Sequence, residues 1–587
     1  MTSLPRALCS ALAAFVVGVP APAQDPPNVL LILADDMGVD MLGAYGVGSN
    51  PPSTPHLDAL AAQGVLFRNA WSAAVCSPTR AGIQTGRHAF RTGIGIGIRY
   101  DAEPAAHALL PSEVSLPEML DEASDSWAHA LIGKWHLDTQ HSGGLLGPNL
   151  AGYQHFAGVV ENLDVSVDGY YDWMRVENGV EEVKREYITT TQIDDALAWM
   201  QSAPEPWFCF LSLSAPHAPL HAPPAHLHSV DLGSADPVPT QDPVPYYRAM
   251  VEAMDTELGR LFASLDPALL ARTQRFFVGD NGSLPAVSQP PFVPAHAKGT
   301  VYEGGVHVPF VAQGPLVGVP GSESAALVHT QDLFATLAAI AGVDLGAAYP
   351  GRAFDGESLL PQLSDPSAPT QRAALYTEFF HPNDAAPTRW PLPCAQGPAS
   401  SVCQLDLGFG TPGGPQLALC GDPLVQGNSA DLQLSGASPS AALLFFVSDQ
   451  YEPQPALGGS LIPSLDSLVL INTASDPLGG FQTTVPGYYG LGWMYVQALA
   501  LKTESLPFAF ELSNTLRIHY LADKRALRDA RYKLIVDAYT CIEELYDLQA
   551  DPHELNDLLL QPSLDPEAQQ SYAALQAELA QLLTSPG

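Results

Sequence analysis

The sequence predicts an α/β protein built on a large, mostly parallel sheet that is sandwiched by helices. Three continuous apolar runs are typical of strands buried on both faces: Asn28–Ala34, Trp207–Leu213 and Arg275–Gly279. Helical patterns separate these runs, at Leu57–Gln63, Thr79–Thr85, Thr189–Met200 and Tyr246–Leu265. Because strands alternate with helices, we expect parallel strands joined by crossover helices.

A second kind of structure is predicted after residue 384. Residues 385–520 carry only 3 basic and 9 acidic side chains in 136 positions, and they are rich in Pro, Gly, Ser and Leu. Short apolar runs between turn residues, such as Ala441–Val447 and Leu465–Ile471, predict an all-β sandwich or barrel. Strand character returns at Tyr532–Asp537. The expected domains are a main α/β domain over 24–384, an inserted low-charge β module over 385–520, and a small C-terminal α+β subdomain over 521–587.

Composition limits the function. The 587 residues are 46% hydrophobic, so the chain can bury a large core and is not a disordered protein. It has 62 acidic residues against 25 Lys and Arg, a formal charge of −37. Such a chain is a poor candidate for binding nucleic acid or an anionic membrane surface. An anionic substrate would need a local basic pocket that overcomes this field.

The N-terminus predicts export. Residues 1–23 have the form of a Sec-type signal peptide, with Arg6 ahead of the apolar run Leu8–Val19 and the small residues Ala21 and Ala23 near its end. The run has about twelve residues, whereas a membrane span needs about 20. We therefore expect a secreted or periplasmic protein without a membrane span.

Polar residues follow each of the three predicted strands. Asp35 and Asp36 follow the first, His217 the second, and Asp280 and Asn281 the third. Ligands of α/β folds gather at the carboxyl ends of parallel strands, so these side chains are expected to converge. Taken singly, each pair could also be an ordinary turn at a strand end.

Three further fragments carry side chains suited to catalysis. In Cys76-Ser-Pro-Thr-Arg80, the Pro suits the first turn of a helix, which places Cys76 at a helix N-terminus with Arg80 on the same face. That environment favours an anion, although a buried structural thiol is an equally simple interpretation. Lys134 and His136 lie two residues apart, and we expect them on one side of an extended segment. Lys298 lies in a Gly-rich loop.

Together these fragments resemble the type I sulfatases of the alkaline phosphatase superfamily. The resemblance covers about residues 26–380 and 521–562, and leaves out the insertion. The motifs that carry it are Asn28-VLLILADD-Met37-Gly38, Cys76-SPTRAGIQTGR-His88, Gly133-KWHL, Ser214-APHAP, Gly279-DNG, Lys298-GTVYEGGVHVPF, Arg531-YKLI and Glu544-LYDLQADPHELNDL.

The resemblance implies an exported sulfuric ester hydrolase that acts on aryl sulfates or sulfated carbohydrates. Cys76 matches the cysteine that a formylglycine-generating enzyme converts to formylglycine (3-oxoalanine), whose hydrate attacks the sulfur. One Ca²⁺ per chain is implied, and its expected ligands are Asp35, Asp36, residue 76, Asp280 and Asn281.

The resemblance also implies roles for five other residues. Arg80 and Lys134 would orient the nucleophile and neutralise developing charge. His136 would act as the base that drives sulfate elimination. His217 and Lys298 would contact the sulfate, and one of them would protonate the leaving oxygen.

Two alternatives stay open at this point. A phosphodiester or phosphonate monoester hydrolase could use the same fold and nucleophile. A carbohydrate-binding surface protein with a decayed enzyme body would explain the low-charge insertion, but every expected catalytic position is filled.

Overall fold

A computed structural model describes most of the chain. The described residues are 26–102, 106–123, 126–163, 169–233, 242–381, 383, 402–403, 405–409, 411, 414–421, 424, 429–448, 451–456, 459–463, 469–486, 493–502, 509–519, 522–538 and 540–584. The predicted signal peptide over 1–23 lies outside them. Among the described residues, no helix combines the length and the apolar character that a membrane crossing requires.

A ten-stranded mixed sheet forms the centre of the molecule. Its strands are β1 Asn28–Ala34, β2 Val65–Trp71, β3 Ala128–Lys134, β4 His155–Val159, β5 Trp173–Glu177, β6 Val180–Lys184, β7 Trp207–Ser212, β8 Thr273–Gly279, β9 Phe310–Gln313 and β10 Ser322–His329. Their order in the sheet is β10-β2-β9-β8-β1-β7-β3-β4-β5-β6. The central run β8-β1-β7-β3-β4 is parallel throughout, as the sequence predicts.

Helices cover the two faces of this sheet. The α-helices within the described residues are α1 Pro55–Ala62, α2 Cys76–Thr85, α3 Ala89–Thr92, α4 Leu116–Asp121, α5 Gly147–Leu150, α6 Ile188–Met200, α7 Val244–Ser264, α8 Pro267–Ala271, α9 Glu303–Val306, α10 Asp332–Ala341, α11 Leu345–Ala348, α12 Leu360–Ser364 and α13 Pro566–Thr584. Alternate residues of β1 enter separate hydrophobic cores, Leu30 and Ile32 on one face and Val29 and Leu31 on the other. The prediction of a sheet sandwiched by helices is therefore confirmed.

A four-stranded antiparallel sheet lies near the C-terminus. Its strands, in spatial order, are β11 Leu375–His381, β23 Ala522–Arg528, β24 Tyr532–Asp537 and β25 Glu543–Asp547. Helix α13 packs on it through Leu575 and Leu579, which share a core with Leu534 of β24. The first strand of this sheet precedes the insertion in the chain, and the other three follow it.

The inserted segment is all-β in the residues described. Its strands are β12 Val402–Cys403, β13 Leu405–Gly408, β14 Gln416–Gly421, β15 Ser429–Ser435, β16 Ala442–Ser448, β17 Tyr451–Ala456, β18 Gly459–Pro463, β19 Val469–Ala474, β20 Phe481–Pro486, β21 Trp493–Lys502 and β22 Ala509–His519. A four-stranded and a five-stranded sheet share one core, to which β15 contributes Leu432 and β21 Ala498. Cys420 is disulfide-bonded, and it faces Cys403 in the register of β12 and β14.

Candidate active site

The turn after β1 places two acidic side chains at the edge of the sheet. Asp35 and Asp36 are fully buried, and Asp36 has a φ of 69°, a left-handed conformation that Asp tolerates better than most residues. The backbone carbonyl of Asp36 accepts a hydrogen bond of 2.5 Å from the hydroxyl of Tyr247 on α7. The turn is therefore held from the helical layer beneath it.

The turn after the neighbouring strand β8 joins the first. Oδ1 of Asp280 accepts a hydrogen bond of 2.9 Å from the backbone N–H of Asp36. Nδ2 of Asn281 donates to Oδ1 of Asp36 at 2.8 Å. Burial, followed by the negative charge of Asp35, raises the pKa of Asp280 to about 7. The two strand ends thus form one cluster, as the sequence predicts from their parallel pairing.

Cys76 faces this cluster from the first position of helix α2. Its Sγ lies 3.2 Å from Oδ1 of Asp35, 3.8 Å from Oδ1 of Asp36 and 3.6 Å from Nζ of Lys298. Burial, reinforced by Asp35, raises the pKa of the Cys76 thiol well above its usual value. An unmodified Cys76 therefore stays a thiol at neutral pH, which makes it a poor nucleophile.

Arg80 and Lys134 supply buried positive charge. Nη2 of Arg80 lies 3.0 Å from Oδ2 of Asp280 and 3.3 Å from Oδ2 of Asp35, and Nζ of Lys134 pairs with the same Asp35 oxygen. Burial alone would raise the pKa of Asp35, but the neighbouring cations, Lys134 first, hold it well below its usual value. Asp35 is thus an ionised carboxylate inside the protein.

His136 departs from the sequence-based expectation. We expected Lys134 and His136 on one side of an extended segment, and this prediction is wrong because β3 ends at Lys134 and His136 has a φ of 61°. The turn brings Nε2 of His136 to 2.8 Å from the carbonyl of Ile98, which can only accept a hydrogen bond. Nε2 therefore carries the proton, and the buried Nδ1 has no hydrogen-bond partner. Burial lowers the pKa of His136 well below its usual value, which leaves Nδ1 a free acceptor.

His217 and Lys298 form the more exposed side of the cluster, each with 15% of its side chain exposed. Nε2 of His217 lies 3.6 Å from Oδ2 of Asp36, and Lys298 forms an ion pair with the other oxygen of that carboxylate. Burial lowers the pKa of His217, against the opposing effect of Asp36. All of the side chains that the sequence singles out for the site, except that of His136, therefore lie within one connected group of contacts. The His136 ring is bonded to the carbonyl of Ile98 instead.

The carboxylate and amide oxygens of the site fit a hard divalent cation. The carboxylates of Asp35 and Asp36, the sulfur of Cys76 and a ring nitrogen of His217 offer atoms that all lie within 4.8 Å of one another. Oδ2 of Asp36 and Oδ1 of Asn281 are buried oxygens without a hydrogen-bond partner. Buried polar atoms are rarely left without a partner, and carboxylate and amide oxygens are what Ca²⁺ prefers.

When all three carboxylates are ionised, the charges of the site are balanced before any cation is added. Asp35, Asp36 and Asp280 bring three negative charges when ionised. Three positive charges offset them, those of Arg80, Lys134 and Lys298. A divalent cation would therefore leave the site with a net positive charge, which suits an anionic ester in an otherwise strongly acidic chain.

Sequence reasoning missed residues that hold the site together. Oγ of Ser212 accepts a hydrogen bond from Nη1 of Arg80 and donates one of 2.7 Å to the carbonyl of Lys134. The hydroxyl of Tyr170 lies 2.8 Å from the carbonyl of His217. Ser212 ends an apolar strand and belongs to no motif, so only the position of β7 between β1 and β3 reveals it.

Comparison with known proteins gives the family. The sequence profile described as Sulfatase matches residues 27–343, more than half of the chain. The chain belongs to the sulfatase family. It is 32% identical over 371 residues to N-acetylgalactosamine-6-sulfatase of Homo sapiens, a match that covers 58% of this chain and 66% of the relative. It is 30% identical over 397 residues to arylsulfatase A of Bos taurus, covering 61% and 71%. The chain thus spans slightly less than two thirds of the human sulfatase.

A solved structure supports the fold. The crystal structure of Ps i-CgsB in complex with k-i-k-neocarrahexaose superposes with a TM-score of 0.61 at 17% identity. The superposition covers 95% of this sulfatase-family chain and 93% of the other. A large sheet flanked by helices, together with further β-sheets toward the C-terminus, is therefore an architecture that other solved proteins share.

Proposed function

We propose that this chain is an exported hydrolase of sulfate esters. The observation that carries the proposal is the position of Cys76, at a helix N-terminus between the Asp35–Asp36 turn and Lys298, in a chain of the sulfatase family. This proposal is better supported than a phosphodiester or phosphonate monoester hydrolase, because both relatives named above are sulfatases.

Formylglycine and Ca²⁺ complete the proposed site. A formylglycine-generating enzyme would convert Cys76, and the resulting group would supply an oxygen nucleophile. Asp35, Asp36, residue 76, Asp280 and Asn281 would hold Ca²⁺, which would stabilise negative charge on the ester. Asp36 Oδ2 and Asn281 Oδ1 support this assignment, because they are buried oxygens that a cation would satisfy.

The surrounding residues have distinct proposed tasks. Arg80 and Lys134 are held by Asp35 and Ser212, so their charges stay fixed near residue 76. The unpartnered Nδ1 of His136 would accept a proton, because its ring is neutral and its Nε2–H is committed to Ile98. Lys298 and His217, on the more exposed side, would bind the sulfate and protonate the leaving oxygen.

The proposed substrates are aryl sulfates or sulfated carbohydrates, as free small molecules or parts of a glycan. The human relative is named for a sulfated sugar, the bovine one for aryl sulfates, and Ps i-CgsB was solved with an oligosaccharide. Residues 1–23 would direct export and be removed. The proposed domains keep the limits 24–384, 385–520 and 521–587.

The decisive test is the mass of the tryptic peptide Asn69–Arg80 from protein made in its natural host. Conversion of Cys76 to formylglycine makes this peptide about 18 Da lighter than its thiol form. The peptide that contains Cys209, a buried free thiol on β7, serves as the unmodified control. An unmodified Cys76 would overturn the formylglycine mechanism.

For protein that carries the modification, kcat/KM for an aryl sulfate should exceed that for the matching aryl phosphate.

A further inference from the structure

Lys533 of strand β24 lies in a buried charge cluster beneath the loop that carries Lys298. Its side chain is fully buried, with Nζ 2.7 Å from Oε1 of Glu554 and 3.3 Å from Oε1 of Glu303. Glu303 begins helix α9, five residues after Lys298. The backbone N–H of Glu303 also donates to Oε2 of Glu554 at 2.5 Å. The C-terminal sheet thus holds the end of the Lys298 loop through charge.

The same lysine reaches the segment that leads into Cys76. Nζ of Lys533 lies 4.5 Å from the ring centroid of Trp71, the last residue of β2, in cation–π geometry. Nε1 of Trp71 donates to Oε1 of Glu303 at 3.0 Å. Three residues after Trp71, the carbonyl of Ala74 accepts a hydrogen bond of 2.9 Å from the N–H of Gly299.

These contacts form a continuous path between the two segments that bear Cys76 and Lys298. We propose that Lys533 is a positioning residue, which fixes the Lys298 loop against the segment entering α2 and so keeps Nζ of Lys298 3.6 Å from the sulfur of residue 76. The consequence for turnover rests on the proposed function, but the consequence for the loop does not. A buried charge that contacts two segments fixes the position of one segment relative to the other.

The C-terminal subdomain then completes the active site from outside the main sheet. Tyr302, next to Glu303, adds a hydrogen bond that involves no cation, because its hydroxyl donates to Oε2 of Glu544 on β25 at 2.7 Å. Val301 and Val306 pack in one hydrophobic core with Ile535 of β24. This apolar packing remains when Lys533 is replaced, so the loop is expected to loosen locally while the subdomain stays docked.

The test compares hydrogen exchange in four variants. Lys533→Met removes the charge, and Lys533→Arg keeps it. The double variant Lys533→Met with Glu554→Gln also removes an opposing carboxylate, so that fewer buried negative charges are left without a cation and the variant folds more readily. The matched control is Lys524→Met on neighbouring β23, where the lysine is 21% exposed and lies 4.0 Å from Asp537. Mass spectrometry follows the peptides over 70–76, 297–307 and 273–279, the last being the buried strand β8.

We expect Lys533→Met and the double variant to speed exchange at least tenfold in 297–307, and to a smaller extent in 70–76. Exchange in 273–279 should stay unchanged, and Lys533→Arg and Lys524→Met should match the native protein. A uniform rise that includes β8, or no change in 297–307, would overturn the proposal. In matured enzyme we expect kcat/KM for an aryl sulfate to fall at least tenfold in Lys533→Met and to recover in Lys533→Arg. If Lys533→Met loosens the loop but the matured native protein hydrolyses no sulfate ester, only the proposed function is refuted.

Discussion

The backbone amide of Asp36 is hydrogen-bonded to the side chain of Asp280, 244 residues further along the chain. This contact joins the carboxyl ends of β1 and β8, which pair in register from Asn28 with Thr273 to Ala34 with Gly279. Because the strands are parallel, both acidic turns leave the sheet at the same edge. The proposed cation site therefore depends on strand pairing as much as on the acidic residues themselves.

Removal of Ca²⁺ should destabilise the protein. Ligand binding to the folded state alone adds about 2.7 kcal/mol of stability when free Ca²⁺ is 100-fold above its Kd. We expect the melting temperature of chelator-treated protein to rise when Ca²⁺ is restored. Asp280→Asn should remove most of that rise, because it keeps the acceptor for the Asp36 amide but loses a charged ligand.

The control for this experiment is Glu181→Gln, which removes an exposed carboxylate on β6 far from the turns. Its Ca²⁺-dependent shift in melting temperature should equal that of the native protein. An equal shift in Asp280→Asn would contradict the assignment of Asp280 as a ligand.

Loss of the His136 imidazole should affect turnover more than folding. The ring is buried and neutral, with one nitrogen bonded to Ile98 and the other unpartnered. His136→Gln should lower kcat for an aryl sulfate by about 10²- to 10⁴-fold, the usual contribution of a general base. Steady-state rates and circular dichroism measure the two effects. The exposed His141→Gln is the matched control, and a loss of less than threefold in His136→Gln would exclude a role as base.

Much of this geometry follows from the sequence, and the exceptions have a common cause. The continuous apolar runs locate β1 and β8, and Tyr532–Asp537 is predicted to the residue as β24. Local patterns report burial and period, but not which distant segment will be a neighbour. The turn at His136 depends on the carbonyl of Ile98, and the role of Ser212 depends on Arg80. Both contacts exist only once the sheet has assembled.

Excision of the inserted module should leave the enzyme body folded. Strands β11 and β23 are antiparallel neighbours, with His381 opposite Ala522, so a short turn can replace residues 385–520. Asn383 is retained because its side chain binds the backbone of Gly95 and Ile96. We expect turnover of a small aryl sulfate within threefold of the full chain, and weaker binding to a sulfated polymer. Loss of small-ester turnover would show that the module belongs to the catalytic body.

A buried glutamate on β11 should make stability depend on pH. Burial raises the pKa of Glu378 to about 7, against the opposing effect of Arg525. An acid whose pKa is raised on folding stabilises the fold while protonated, and this contribution falls as pH rises from about 4.5 to 7. The slope is at most about 1.4 kcal/mol per pH unit.

Glu378→Gln isolates this effect, because glutamine can still bond the Phe90 amide and the Tyr376 hydroxyl that contact Glu378. Chemical denaturation at pH 5, 6 and 7 should show a smaller loss of stability in the variant than in the native protein. Equal slopes in the two proteins would mean that Glu378 does not titrate in this range.

The pairing of His381 with Ala522 also bears on the order in which the chain folds. In an unfolded chain, this contact would close a loop that includes the whole inserted segment, at a substantial cost in chain entropy. Once the β-sandwich has formed, Leu405 lies opposite Arg517, so the closure that remains spans residues 382–404 and 518–521 rather than the whole insertion. The sandwich should therefore form before β11 pairs with β23, and the edge strand β11 would be the last strand to join the C-terminal sheet.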